Sequence, residues 1–74
     1  MTLADVLPGR PAVVESIDGP LATRLLEIGL APGSAVEVVQ RVALGGPVIV
    51  DLRGFVFGVR RGDAAAVRVR EGAP

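Results

Sequence analysis

Few side chains in this sequence can do chemistry. Eight arginines supply all the side-chain positive charge, and eight Asp and Glu balance them. Lysine, histidine and cysteine are absent. Arginine stays protonated at neutral pH and donates to carboxylates or phosphates in a fixed fork; it is a recognition group, not a base. A Ser–His–Asp triad or a cysteine nucleophile cannot be built from this set, so an enzyme is not expected. The carboxylates of Asp5, Glu15, Asp18, Glu27, Glu37, Asp51, Asp63 and Glu71 are scattered along the chain. A hard cation needs several converging oxygens, and softer metals call for His or Cys. No metal site and no cofactor is expected. A phosphate loop also requires a lysine. The polar candidates that remain are Arg24 and the neighbours Arg60 and Arg61, which lie beside Asp63.

The elements that hold these residues can be read from periodicity and punctuation. Thr2 to Asp5 reads as a helical turn stopped by Pro8-Gly9, with Leu3, Val6 and Leu7 turned inward. Ala12 to Ile17 reads as a strand. Pro20 opens a helix over about residues 20–28, in which Leu21, Leu25 and Ile28 share one face and Ala22 and Leu26 widen it. Arg24 falls on the other side, three residues from Glu27. Gly29 suits the left-handed residue after a helix, and Leu30 then takes the position of a Schellman contact against Leu25. Pro32-Gly33 is a type II turn signal.

The remainder reads as β. Over Val36 to Val42, Val36, Val38, Gln40 and Val42 share one side, and Glu37, Val39 and Arg41 the other. Over Val48 to Arg53, Ile49 lies opposite the Val48, Val50 and Leu52 side. Arg53-Gly54 is a tight turn. Phe55, Phe57 and Val59 alternate with Val56 and Gly58, which places both phenylalanines in the core. Residues 61–66 form one helical or 3₁₀ turn capped near Asp63, and Val67 to Arg70 is a last strand. Val39, Ile49 and Val56 are left as an outer apolar set, of a kind that a soluble monomer seldom exposes unless another segment covers it.

Five short strands and one helix in a single domain, 1–74, suggest a small and strongly bent barrel, since closure removes the edges of so short a sheet. An open sheet with the helix on one face is the alternative. A chain this short buries only about 60% of its surface, so a partner or self-association is expected. The net charge is zero. Nucleic-acid binding would call for excess positive charge and stacking aromatics, and Phe55 and Phe57 are the only aromatics. Nor can two phenylalanines line the Tyr/Trp groove that receives proline-rich peptides. No apolar run approaches the roughly eighteen residues that cross a bilayer, and no secretion signal is evident, so a cytoplasmic protein without direct membrane insertion is expected.

The run Arg24-Leu25-Leu26-Glu27-Ile28-Gly29-Leu30-Ala31-Pro32-Gly33 resembles the signature of the FeoA family, ferrous iron transport protein A. Three further stretches resemble it in order and spacing: Leu3 to Gly9, Gly46-Pro47-Val48 through Arg53-Gly54-Phe55, and Val59-Arg60-Arg61-Gly62-Asp63-Ala64-Ala65. The resemblance implies an SH3-like barrel with a helix after the first strand. It also implies a cytosolic accessory role in bacterial ferrous iron uptake, with a FeoB-type membrane transporter and its GTP-binding domain as partner. Any GTP chemistry would then be the partner's. The same fold occurs as the C-terminal domain of iron-dependent DtxR-type repressors, which keeps a repressor-type interaction domain, beside a small nucleic-acid-associated barrel, as an alternative. Within the signature, Leu25, Ile28, Gly29, Leu30, Pro32, Gly33 and Gly54 read as structural. Arg24, Arg60, Arg61, Val39, Ile49 and Val56 are the candidate partner contacts.

Overall fold

Runs of valine broken by glycine and proline make short strands, and the computed structural model, which describes residues 1–73, has five of them. The order is a 3₁₀ turn (Leu3–Asp5), β1 (Pro11–Ile17), α1 (Leu21–Glu27), β2 (Ala35–Arg41), β3 (Val48–Leu52), β4 (Phe55–Val59), α2 (Arg61–Ala64) and β5 (Val67–Glu71). All pairings are antiparallel, and the strands lie in the order β4-β3-β2-β1-β5. No ladder joins β4 to β5. The sheet is therefore open, and the closed barrel expected from the sequence is not formed by hydrogen bonding.

The core lies on one face of this sheet. Leu3, Val6, Ala12, Val14, Leu25, Leu30, Val36, Val38, Val48, Val50, Leu52, Val59, Ala64, Val67 and Val69 form one buried cluster. The alternation in β3 is as expected: Val48, Val50 and Leu52 are buried, and Ile49 and Asp51 are half-buried.

Two bulges reset the alternation elsewhere. In β2, Val38 pairs with Val50 but Gln40 pairs with Ile49, so Val39 is an extra residue. The side assignments beyond it shift by one, and Gln40 is exposed rather than aligned with Val36 and Val38. In β1, Val14 pairs with Val69 and Ser16 with Arg68, which leaves Glu15 as the extra residue, turned to solvent.

Three inward expectations fail for reasons of coverage. Phe55, Phe57 and Val59 do share a side, but exposure falls from 54% at Phe55 to 4% at Val59, with Phe57 between. The hairpin tip runs past the core layer, so Phe55 packs on Phe57, with ring centroids 5.1 Å apart, instead of entering the core. Leu7 is exposed, because the chain leaves the 3₁₀ turn extended at Val6. In α1 only Leu25 is fully buried, whereas Leu26 and Ile28 are exposed. A seven-residue helix rests on the sheet through little more than one turn.

Candidate functional site

The Arg24-to-Gly33 run builds one side of the site. Pro20 stands at the N-cap of α1, one residue earlier than the first helical position expected for it. The helix ends in a Schellman motif: the Gly29 amide donates to the Leu26 carbonyl at 3.0 Å and the Leu30 amide to the Leu25 carbonyl at 2.9 Å. Gly29 adopts φ +93°, a conformation in which a Cβ would be strained. The following loop is tied down by Ser34, whose hydroxyl accepts from the Ala31 amide and donates to the Gly29 carbonyl. The Gly33 amide donates to Val14 and the Val14 amide donates to Ser34, which pins this loop on β1. These contacts fix the position of α1 relative to the sheet.

The other side is β4 and the start of α2. Arg53-Gly54 closes the β3–β4 hairpin with φ +53° and +90°, the signs of a type I′ turn, and the Gly54 amide donates to Asp51 Oδ1 at 2.7 Å. Arg60 is the N-cap residue of α2, and the Ala64 amide donates to its carbonyl at 2.8 Å. Asp63 lies in the first turn of α2 without making a side-chain cap.

Between these two sides runs a groove of about 370 Å³. Leu21, Leu25, Ile28, Phe57 and Val59 supply apolar walls, Gly58 opens the β4 side, and Arg24, Arg60 and Asp63 are its charged residues. Thirty-six residues apart in sequence, Arg24 and Arg60 thus line one groove. The ion pairs among the described residues are Arg10–Glu71 at 3.0 Å and Arg68–Asp18 at 3.6 Å. Arg24 and Arg60 belong to neither, so Arg24 does not pair with Glu27, nor Arg60 with Asp63.

Arg61 points elsewhere. Its Nη2 donates to the Val42 carbonyl at 3.4 Å, and its Nε is buried with no hydrogen-bond partner. Val39, Ile49 and Val56 also lie outside the groove. Ile49 opposes Gln40 and Gly58, and Val56 opposes Asp51, which in turn opposes Glu37. Acidic and polar residues therefore stand beside these three apolar ones on that face. Ile49 is half-buried, leaning toward the space a Gly58 Cβ would occupy, which its Cδ1 approaches to 3.4 Å. The contributions of Phe57 and Gly58 to the groove were missed by the sequence reading. The signal available was the glycine inside a strand, which marks a close approach or an open edge.

Among the described residues there is no group of three or more His, Cys, Asp or Glu placed to hold a metal ion. Among the described residues no helix is long and apolar enough to cross a membrane.

A family model, the FeoA domain, matches residues 1–71. Among solved structures, a FeoA protein from Chlorobium tepidum superposes with a TM-score of 0.89 at 31% identity, covering 99% of this chain and 71% of that one. FeoA from Stenotrophomonas maltophilia, solved with zinc and described as an SH3 domain protein and a candidate activating factor for ferrous iron transport, matches at 32% identity. Its TM-score is 0.83, over 95% of this chain and 89% of that one. The manganese regulator SloR matches at 15% identity and a TM-score of 0.84, covering 97% of this chain and 34% of that one, which shows a shared fold alone. No curated protein matches the sequence. With the family model spanning nearly its whole length and FeoA structures superposing on its fold, this chain belongs to the FeoA family, which is associated with ferrous iron transport.

Proposed function

We propose that this chain is a non-enzymatic, cytoplasmic accessory protein of bacterial ferrous iron uptake, acting by docking on a FeoB-type transporter that carries a GTP-binding domain. Family membership supports the uptake role. The observation that carries docking is the groove between α1 and β4, whose mostly polar surface holds Arg24 and Arg60, both outside the ion pairs of the described residues, beside the apolar side chains of Leu21, Ile28 and Phe57. An exposed guanidinium can steer and orient a carboxylate-bearing surface, and adjacent apolar area then supplies affinity. The side chains on hand provide no nucleophile–base pair, so the contribution to transport is a shift in the transporter's conformational equilibrium through differential binding.

Arg24 and Arg60 are the principal contacts in this reading. Val39 and Val56 are secondary ones, the half-buried Ile49 presents less surface, and Arg61 is turned away from the groove toward the Val42 carbonyl. The test is calorimetric binding of this protein to the transporter's cytosolic GTP-binding domain, in the GDP- and GTP-loaded states. Charge reversal at Arg24 or Arg60 is expected to weaken binding about tenfold, the order of one charge-assisted hydrogen bond. Absence of binding in every nucleotide state, or undiminished binding by both variants, would count against docking.

A further inference from the structure

The two edges of the sheet are treated differently. The outer edge of β5 is covered: Thr2 bridges Arg68, and the Val69 amide donates to the Met1 carbonyl at 3.0 Å. Its sequence, Val67-Arg68-Val69-Arg70-Glu71, also carries the charges that discourage edge pairing. The outer edge of β4 has neither safeguard. Phe55-Val56-Phe57-Gly58-Val59 has no charge and no proline. None of the turn, loop or cap backbone hydrogen bonds among the described residues involves these five positions.

The register says which groups are free. Leu52 and Phe55 close a two-residue hairpin, so they form a hydrogen-bonded pair, and Val50–Phe57 and Val48–Val59 follow at every second position. The amides and carbonyls of Phe55, Phe57 and Val59 are then used by β3. Those of Val56 and Gly58 point away from the sheet. The groove that holds Arg24 and Arg60 lies along this same edge, and Phe57 and Gly58 belong to both. Two arginines against the single acid Asp63 leave it with a positive excess.

We propose that the β4 edge accepts an extended, acidic segment of a protein partner as a sixth strand. The backbone of that segment bonds to Val56 and Gly58. A carboxylate side chain from it reaches Arg24 and Arg60, and an apolar side chain lies on Phe57. Main-chain bonds supply affinity in this mode and the side-chain contacts supply selectivity. A second copy of this chain fits less well, because β4 brings no carboxylate of its own to the arginines. The inference rests on the docking reading above in taking a protein as the ligand.

The test has two arms on the full chain, ¹⁵N-labelled. The first titrates a blocked peptide of alternating valine and threonine with one central glutamate. The largest amide shifts are expected at Val56 and Gly58, with slowed hydrogen exchange there. Affinity should fall about tenfold when the glutamate is replaced by lysine, and again when alternate peptide amides are N-methylated, a change that leaves the protein itself intact. Shifts located elsewhere, no binding, insensitivity to N-methylation, or edge shifts that depend on protein concentration without peptide would overturn the proposal. The second arm measures binding of the transporter's GTP-binding domain to Val56→Pro, a substitution that an outward-facing edge amide tolerates. Full binding by a folded Val56→Pro would overturn the edge mode and leave docking standing. A peptide that binds at the edge while the transporter domain does not would do the reverse.

Discussion

The Leu30 amide reaches back across Gly29 to the Leu25 carbonyl at 2.9 Å, and both leucines are buried. This one contact turns the chain out of α1 and directs it to the loop pinned on β1. It works because Gly29 holds φ +93°. A Cβ there would meet Leu52 Cδ2 at 3.5 Å, an ordinary contact, so the cost of substitution is conformational rather than steric. Gly29→Ala is expected to cost about 1–2 kcal/mol, the price of a left-handed L-residue. For a domain of this size that lowers Tm by roughly 5–10 °C. Thermal unfolding of the variant checks it, and an unchanged Tm would show that the cap relaxes without glycine.

Leu30 and Phe55 make a second, opposed pair. Leu30 is fully buried, and Phe55 is 54% exposed at the hairpin tip. Leu30→Ala should therefore cost about 2–5 kcal/mol, a large part of the stability of so small a domain. Phe55→Ala removes a larger side chain that is only about half buried, and is expected to cost less, about 1–2 kcal/mol. Urea unfolding of both variants decides it. A larger loss at Phe55 would mean that its stacking on Phe57 supports the β4 edge.

These two positions also mark where the sequence was and was not legible. The Schellman cap was readable because a single glycine with leucines at fixed offsets dictates a local geometry. The face shared by Phe55, Phe57 and Val59 was readable from alternation. How far the core layer extends along that face was not, because burial depends on which distant segments lie across it. Bulges at Glu15 and Val39 were invisible for a similar reason: an extra residue in a strand is defined by its partner's register. The groove had legible parts in Arg24 and Arg60. Their placement along one groove depends on β4 ending beside α1, which no spacing in the chain encodes.

Asp5 gives the acid limb of stability a local origin. Its carboxylate accepts from the Thr2 amide at 2.9 Å and from the Thr2 hydroxyl at 3.2 Å. The backbone bond from Thr2 is the main cause that holds its pKa below the ordinary 3.8. A carboxyl depressed by folding contributes stability that is present above its unfolded value and lost as pH falls through the folded one. Wild type is thus expected to lose Tm more steeply below about pH 4 than Asp5→Asn, which cannot ionise. The Asp5 carboxyl, followed by NMR, should titrate below 3.8. A midpoint above that value would show that the turn at Leu3 forms without it.

Arg61 separates structural from recognition roles among the arginines. Its Nε is buried without a partner, and its one hydrogen bond, to Val42, is long at 3.4 Å. An unpartnered buried donor costs about 1–3 kcal/mol, while a typical hydrogen bond contributes about 1. The balance predicts that Arg61→Met, which keeps an apolar stem in place, leaves Tm unchanged or raises it. Arg60→Met on the exposed rim should change stability by less than about 0.5 kcal/mol and yet weaken partner binding. Thermal unfolding and partner titration of the two variants, run side by side, distinguish these outcomes. A drop in Tm for Arg61→Met of more than about 5 °C, equivalent to roughly 1 kcal/mol here, would show that the bond to Val42 outweighs the stranded donor.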